Sequence, residues 1–212
     1  MAEILIYDAI DPYWGVSASE VVRVLRDLKG ADLTVRINSP GGSALDGVAI
    51  YNALSRYPGK VTVEVDGIAA SAASIIAMAG SEIRVSQGAM IMIHEAWAYT
   101  QGPAEDHLST AALLTKLNTE VAGIYAARSG KTADECLAIM AAETWMGASE
   151  AVALGFADTA VPAKTRPAPD TQASARMIAA FKNAPKGWNG GATAQPFTSS
   201  IKTPLNSLFR RA

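Results

Sequence analysis

"LTVRINSPGGSALDGVAIYNALSRYPGKVTVEV", residues 33–65, holds a complete strand-helix-strand unit. Its first five residues are rich in β-branched side chains and run into Asn38, Pro40, Gly41 and Gly42, which end a strand. LDGVAIYNALSRY then has the spacing of a helix and stops at Pro58-Gly59, and VTVEV is a strand again. The same rhythm extends outward in both directions. ILIYDAI opens the chain as a strand. Ser17 with Glu20 forms a capping box ahead of VVRVLRDL, where Val21, Val24, Leu25 and Leu28 share one helical face. Downstream come a segment of small residues over 71–80, strand pieces IRV and AMIMIH, a long helix from about Ala104 to Arg128 and a shorter one from about Thr132 to Ala142. A SEAVALG helix with FADTAV closes the series. Alternation of this kind predicts an α/β fold with a mostly parallel sheet covered by helices.

The 212 residues, half of them hydrophobic and 18% charged, suit one sizeable core plus an appendage. The net charge of −2 conceals a division. From Ala163 onward eight basic residues stand against the single acid Asp170, so residues 163–212 carry +7 and residues 1–162 carry −9. Five prolines and a GGATAQ stretch give that tail the composition of a flexible linker, and residues 1–162 are expected to form the domain. Two short apolar patterns within it, ARMIAAFKNA and TPLNSLFRR, suit segments that fold on a partner. No apolar run is long enough to cross a bilayer and no basic-then-apolar leader precedes the first strand. The lone Cys136 lies in an apolar helical pattern as a buried thiol, and these features together predict a soluble cytoplasmic protein.

The chemistry starts from two histidines. His107 falls in the first turn of the long helix beside Glu105 and Asp106, a solvated setting. His94 closes the apolar strand AMIMIH, where a strand end delivers its side chain to the sheet edge at which α/β folds bind ligands. Taken alone, such a histidine is more often a core residue than a base. The turn INSPGGS offers consecutive glycine amides ahead of a helix, able to hold an oxyanion or a phosphate, yet neither Gly-x-Gly-x-x-Gly nor the Gly-Lys-Ser/Thr phosphate loop is present. Ser71 falls at the junction of a strand and the small-residue helix, inside "DGIAASAASIIAMAG" (66–80). There a nucleophile gains an adjacent amide, and small neighbours admit a peptide backbone. A serine capping a tightly packed helix fits the same pattern.

INSPGGSALDGVAIYNAL, GIAAS, MIHEAW with a following Gln-Gly pair, and ETWMGASEAVALGFAD, in this order over roughly residues 4–161, resemble the ClpP serine peptidases. The ETW and GFAD endings are similar to those of the ClpP-like head-maturation proteases of tailed phages. The resemblance implies a ClpP/crotonase-like spiral of βαβ units, Ser71 as nucleophile, His94 as general base, and the amides of Gly42 and Ala72 as oxyanion donors. It places the third catalytic position at Glu143, where the family has an aspartate, with Asp158 as the next candidate. It further implies polypeptide substrates, a homo-oligomer forming rings and no cofactor or metal. Phage scaffold or capsid proteins would be partners, in the cytoplasm of a bacterial host, with no role for nucleic acid or membrane. No counterpart of the family's N-terminal axial loops is seen ahead of the first strand, which sets an ATPase partner in question. The seam Leu114, Leu117, Val121 and Ile124 of the long helix suits either the core or a joint between rings. A crotonase-like acyl-CoA enzyme, a Ser-Lys peptidase using Lys60 or Lys116, and a non-enzymatic assembly protein are the competing expectations.

Overall fold

The computed structural model describes residues 2–162 and the two-residue strand Phe209–Arg210. Its elements are β1 (Ala2–Ile6), α1 (Ala18–Asp27), β2 (Leu33–Ser39), α2 (Ala44–Ser55), β3 (Val61–Ala70), α3 (Ala72–Ala77), β4 (Glu82–Ser86), β5 (Met90–Ile93), α4 (Ala104–Ser129), α5 (Ala133–Ala141), β6 (Thr144–Gly147), α6 (Ala148–Ala153), β7 (Thr159–Val161) and β8 (Phe209–Arg210). The sheet runs β6-β5-β3-β2-β1-β8, with β4 bridging β3 and β7. Pairing is parallel throughout except at the ends of that path, where β6 lies antiparallel to β5 and β8 antiparallel to β1. This is the α/β architecture the strand-helix rhythm predicts. The expected flexible tail lies outside the described residues apart from β8. There the backbone pairs Phe209 with Ile4 and Arg210 with Glu3, whereas the sequence leaves the tail unattached to the domain. β1 is otherwise an edge strand, whose unpaired peptide groups invite such pairing.

The local signals behave as their chemistry requires. The Ser17 hydroxyl accepts the Glu20 amide and the Glu20 carboxylate accepts the Ser17 amide, so both halves of the capping box form at α1. Thr132 and Glu135 repeat the arrangement at α5. Along the central strands Ile4, Ile6, Val35, Ile37, Val63, Val65, Ile83 and Val85 are buried, and on β2, β3 and β4 the residues between them, Arg36, Glu64 and Arg84, carry charge. On that second face Arg36 Nη2 meets Asp66 Oδ1 at 2.7 Å, Arg84 Nε meets Glu82 Oε1 at 2.7 Å, and the Tyr7 hydroxyl donates to Asp66 Oδ2 at 2.5 Å. Burial together with that carboxylate raises the Tyr7 pKa. A parallel sheet with one polar face is unusual, because its crossover helices ordinarily cover both. On the long helix Val121 is buried, Leu117 and Ile124 pack on the core and Leu114 is half-buried, while Leu108 and Leu113, off the seam near the helix start, are about two thirds exposed. Cys136 is fully buried beside the Ser129 hydroxyl, and burial pushes its thiol pKa up.

β3 is longer than VTVEV suggests, and the reason lies in its neighbours. Residues 62–65 pair with β4, then residues 68–70 continue beside β5, so the strand changes partner on one edge and carries on to Ala70. On its other edge the register with β2 slips between Ile37 and Ser39, where Ser39 comes to lie opposite Ala69. The helix that follows, α3, is buried along its whole length. Its small residues are needed because α2 presses on it: a Cβ at Gly47 would stand 3.0 Å from the Ala72 Cβ and carbonyl oxygen. The run of Ala, Gly and Ser over 66–80 is therefore a close helix contact and the floor of the region described next. Gly47→Val is expected to destabilise the domain by roughly 1–3 kcal/mol through overpacking, read by denaturant unfolding. Unchanged stability would show that α2 has room to withdraw.

Candidate active site

β3 and β5 are parallel neighbours, so their C-terminal ends emerge side by side, one bearing Ser71 and the other His94. The Ser71 amide donates to the Met92 carbonyl at 2.9 Å, locking the turn after β3 to the last residues of β5. His94 Nε2 stands 2.8 Å from Ser71 Oγ. Ser71 is positioned as the N-cap of α3 but makes no side-chain cap hydrogen bond, so its hydroxyl is turned to the imidazole instead of to the helix. The capping role open in the sequence is not the one adopted.

Ser71 holds a backbone conformation rare for any residue with a side chain, φ 55 and ψ −125. Its carbonyl is gripped from within α3: the Ser74 amide donates to it at 2.9 Å and the Ser74 hydroxyl at 2.6 Å. The single proton of Ser74 being committed there, the buried Tyr125 hydroxyl donates to Ser74 Oγ at 2.8 Å. Tyr125 on α4 thus braces the turn through Ser74, and burial raises its pKa so that it stays a donor. On the other side of the turn stands Gly41, with φ +90. A Cβ on it would lie 2.5 Å from the Ala70 carbonyl oxygen, 2.7 Å from Ser71 Cβ and 2.9 Å from the Ala72 nitrogen. The INSPGGS turn therefore lies directly against the serine and the amide that follows it. At Gly42 (φ +147) a Cβ would strike the Ile10 carbonyl oxygen at 2.2 Å, so glycine is required there by the β1–α1 connection.

Glu143 follows the end of α5 with φ 48 and leads into β6, which pairs with β5 so that Met92 faces Trp145 and Ile93 faces Thr144. That antiparallel pairing carries the acid to the end of β5 where His94 stands. Burial lowers the His94 pKa below its usual 6.5, and the charge of Glu143 opposes that shift by favouring the imidazolium. Trp145 Nε1 donates to Glu143 Oε1 at 3.3 Å. Asp158 is engaged elsewhere: its carboxylate accepts the Ile83 amide at 2.7 Å and pairs with Arg128 at 2.5 Å. Beyond His94 the chain is tied to α4, because the buried Asn118 side chain accepts the Ala96 amide at 2.8 Å. An open cleft of about 390 Å³ between α4 and α5 begins there, lined by Glu95, Asn118, Thr119, Leu137 and Ala138 among others.

Ser71, His94, Glu143, Gly42 and Ala72 thus belong to one region of the sheet edge, and His107 stays exposed at the start of α4. Ser74, Tyr125, Asn118 and Trp145 were not anticipated. Ser74 left one trace, a second hydroxyl in an otherwise apolar helix, but the partners of the other three become visible only when distant elements pack.

A serine at the end of a parallel strand, hydrogen-bonded to a histidine from the neighbouring strand end, defines an α/β protein of the serine-hydrolase kind in its geometry. Residues 3–164 match the family model described as Clp protease. The chain belongs to the Clp protease family. It is 33% identical over 159 residues to an ATP-dependent Clp protease proteolytic subunit of Bacteroides fragilis, covering 74% of this chain and 69% of that protein. A subunit of the same description from Leifsonia xyli is 31% identical over 129 residues, 60% of this chain and 66% of its own length. One from Chlorella vulgaris is 33% identical over 128 residues, 59% and 64% respectively. The chain spans about two thirds of the length of these curated relatives.

The electrostatics of His94 yield an expected pH profile. Burial disfavours the protonated ring, so the acid limb of kcat/KM for peptide hydrolysis falls at a midpoint below 6.5. Glu143→Gln removes the neighbour that favours the imidazolium and moves this midpoint lower still, while cutting kcat by roughly 10²–10⁴-fold. An acid limb that moves to higher pH in Glu143→Gln would contradict the arrangement.

Proposed function

We propose that this chain is a serine endopeptidase that hydrolyses peptide bonds of polypeptide substrates. The observation that carries this reading is the 2.8 Å contact between Ser71 Oγ and His94 Nε2, made by a hydroxyl that gives up its helix-capping role. In the first half-reaction His94 Nε2 takes the Ser71 proton as Oγ attacks the substrate carbonyl carbon. The carbonyl oxygen becomes an oxyanion, received by the amides of Gly42 and Ala72. Collapse of this intermediate breaks the C–N bond, and the imidazolium gives its proton to the leaving amine. A water molecule, deprotonated by His94, then attacks the acyl-enzyme and releases the carboxylic acid product and Ser71. Glu143 holds the tautomer in which Nε2 is free to accept, and its charge favours the imidazolium that forms in each half.

Family membership also supports assembly into rings of identical subunits. Among the described residues, the exposed Leu108 and Leu113 near the start of α4 and the charged face of the sheet are surfaces that suit it. The finer reading is processing of scaffold and capsid proteins during phage head maturation, with the basic tail holding the enzyme on its substrates. It rests on the ETW and GFAD likeness and on the +7 charge of residues 163–212. An acyl-CoA enzyme of similar fold would leave the serine-histidine pair without a task.

Ser71→Ala and His94→Ala are each expected to lower peptide hydrolysis by on the order of 10⁶-fold with the fold retained, since neither side chain serves the core. Full activity in Ser71→Ala would overturn the endopeptidase assignment. Production of the chain with a capsid protein and its scaffold should yield shortened products that Ser71→Ala does not make. Deletion of residues 165–212 should reduce that processing and leave small-peptide cleavage unchanged. Processing of capsid protein by the truncated chain at the full rate would refute the tether.

A further inference from the structure

Glutamate has one more rotatable bond than aspartate, so a glutamate that must orient a histidine needs its carboxylate restrained. Glu143 sits at a tight junction between α5 and β6, and its backbone alone does not fix the far end of the side chain. Two residues on, Trp145 packs its ring against the buried trio Ile68, Ala70 and Met92. Each of these lies close in sequence to the reacting pair: Ala70 precedes Ser71 and Met92 is two residues before His94. Across β5 and β6 Trp145 is the registered partner of Met92. Its indole N–H, a donor with no acceptor function, reaches Glu143 Oε1 at 3.3 Å.

We propose that Trp145 is a positioning residue for Glu143: its indole N–H holds one carboxylate oxygen so that the other faces the His94 imidazole. The proposal rests on the endopeptidase reading above and adds to it a fourth member that acts through the acid. A donor bound to an ionised carboxylate is stronger than one bound to a neutral group, so the tether is tightest in the charged state that supports His94. Phenylalanine at this position would pack on the same three apolar residues and donate nothing. The indole and the longer acid are a matched pair, with the ring clamped to the strand that bears His94 and the carboxylate clamped to the ring.

The test is a cycle of Trp145→Phe in the parent and in Glu143→Asp, followed by steady-state peptide hydrolysis and thermal unfolding. In the parent, Trp145→Phe is expected to lower kcat by roughly 5–30-fold with KM within about twofold and the melting temperature unchanged. In Glu143→Asp, whose shorter side chain does not reach the indole, the same substitution should change kcat by less than about twofold. Equal losses in both backgrounds would reduce Trp145 to a packing residue and overturn the proposal, as would kcat within twofold of the parent in the first. A second measurement does not depend on turnover. The Trp145 indole proton resonance of the parent should move in Glu143→Gln, where the charged acceptor of its N–H is replaced by a neutral one. A resonance indifferent to Glu143 overturns the tether. If the parent hydrolyses no peptide yet the indole resonance moves in Glu143→Gln, the endopeptidase reading fails and the tether stands.

Discussion

The left-handed turn at Ser71 is the constraint on which the site depends. A residue with a side chain held at φ 55 and ψ −125 costs about 1–3 kcal/mol, and the surrounding structure has to supply that energy. Hydrogen bonds on both sides of the residue do so: its amide is bonded to Met92 on β5, and its carbonyl to Ser74, which Tyr125 backs from α4. The close approach of Gly41 leaves no volume into which the turn could relax. The result is a hydroxyl withdrawn from its own helix and presented to His94.

The fork in the sheet explains why these contacts can form. β3 leaves β4 and runs beside β5, so the residues after each strand meet at a single edge, and β6 then brings Glu143 and Trp145 back along the far side of β5. Ser71, His94 and Glu143 are thus each held one residue from the end of a paired strand. The contact between α2 and α3, which requires Gly47 and Ala72 to be small, seals the floor beneath.

Much of this was readable from the chain in physical terms. The α/β class followed from β-branched runs ended by Gly and Pro, and the α1 capping box followed from the Ser17-x-x-Glu20 spacing, whose hydrogen bonds are local. Ser71 and His94 could be singled out because strand ends are where α/β sheets present chemistry. The extension of β3 to Ala70 could not be read, because it depends on a change of partner and not on propensity. Nor could the pairing of β8 with β1, which joins residues some two hundred positions apart. The tasks of Ser74, Tyr125, Asn118 and Trp145 escaped for the same reason: each is one half of a contact whose other half lies on a different element.

Among the described residues the parallel sheet keeps a polar face and the start of α4 is exposed, and the curated relatives are described as proteolytic subunits. Ser71 and His94 meet within one chain, so the proposed chemistry can be examined directly. Treatment with a fluorophosphonate, followed by intact mass and peptide mapping, tests the central claim that Ser71 is an activated nucleophile. The predicted result is a single adduct on Ser71, formed at least about a hundredfold more slowly in His94→Ala. Absence of an adduct, or one on another serine with Ser71 untouched, would contradict it.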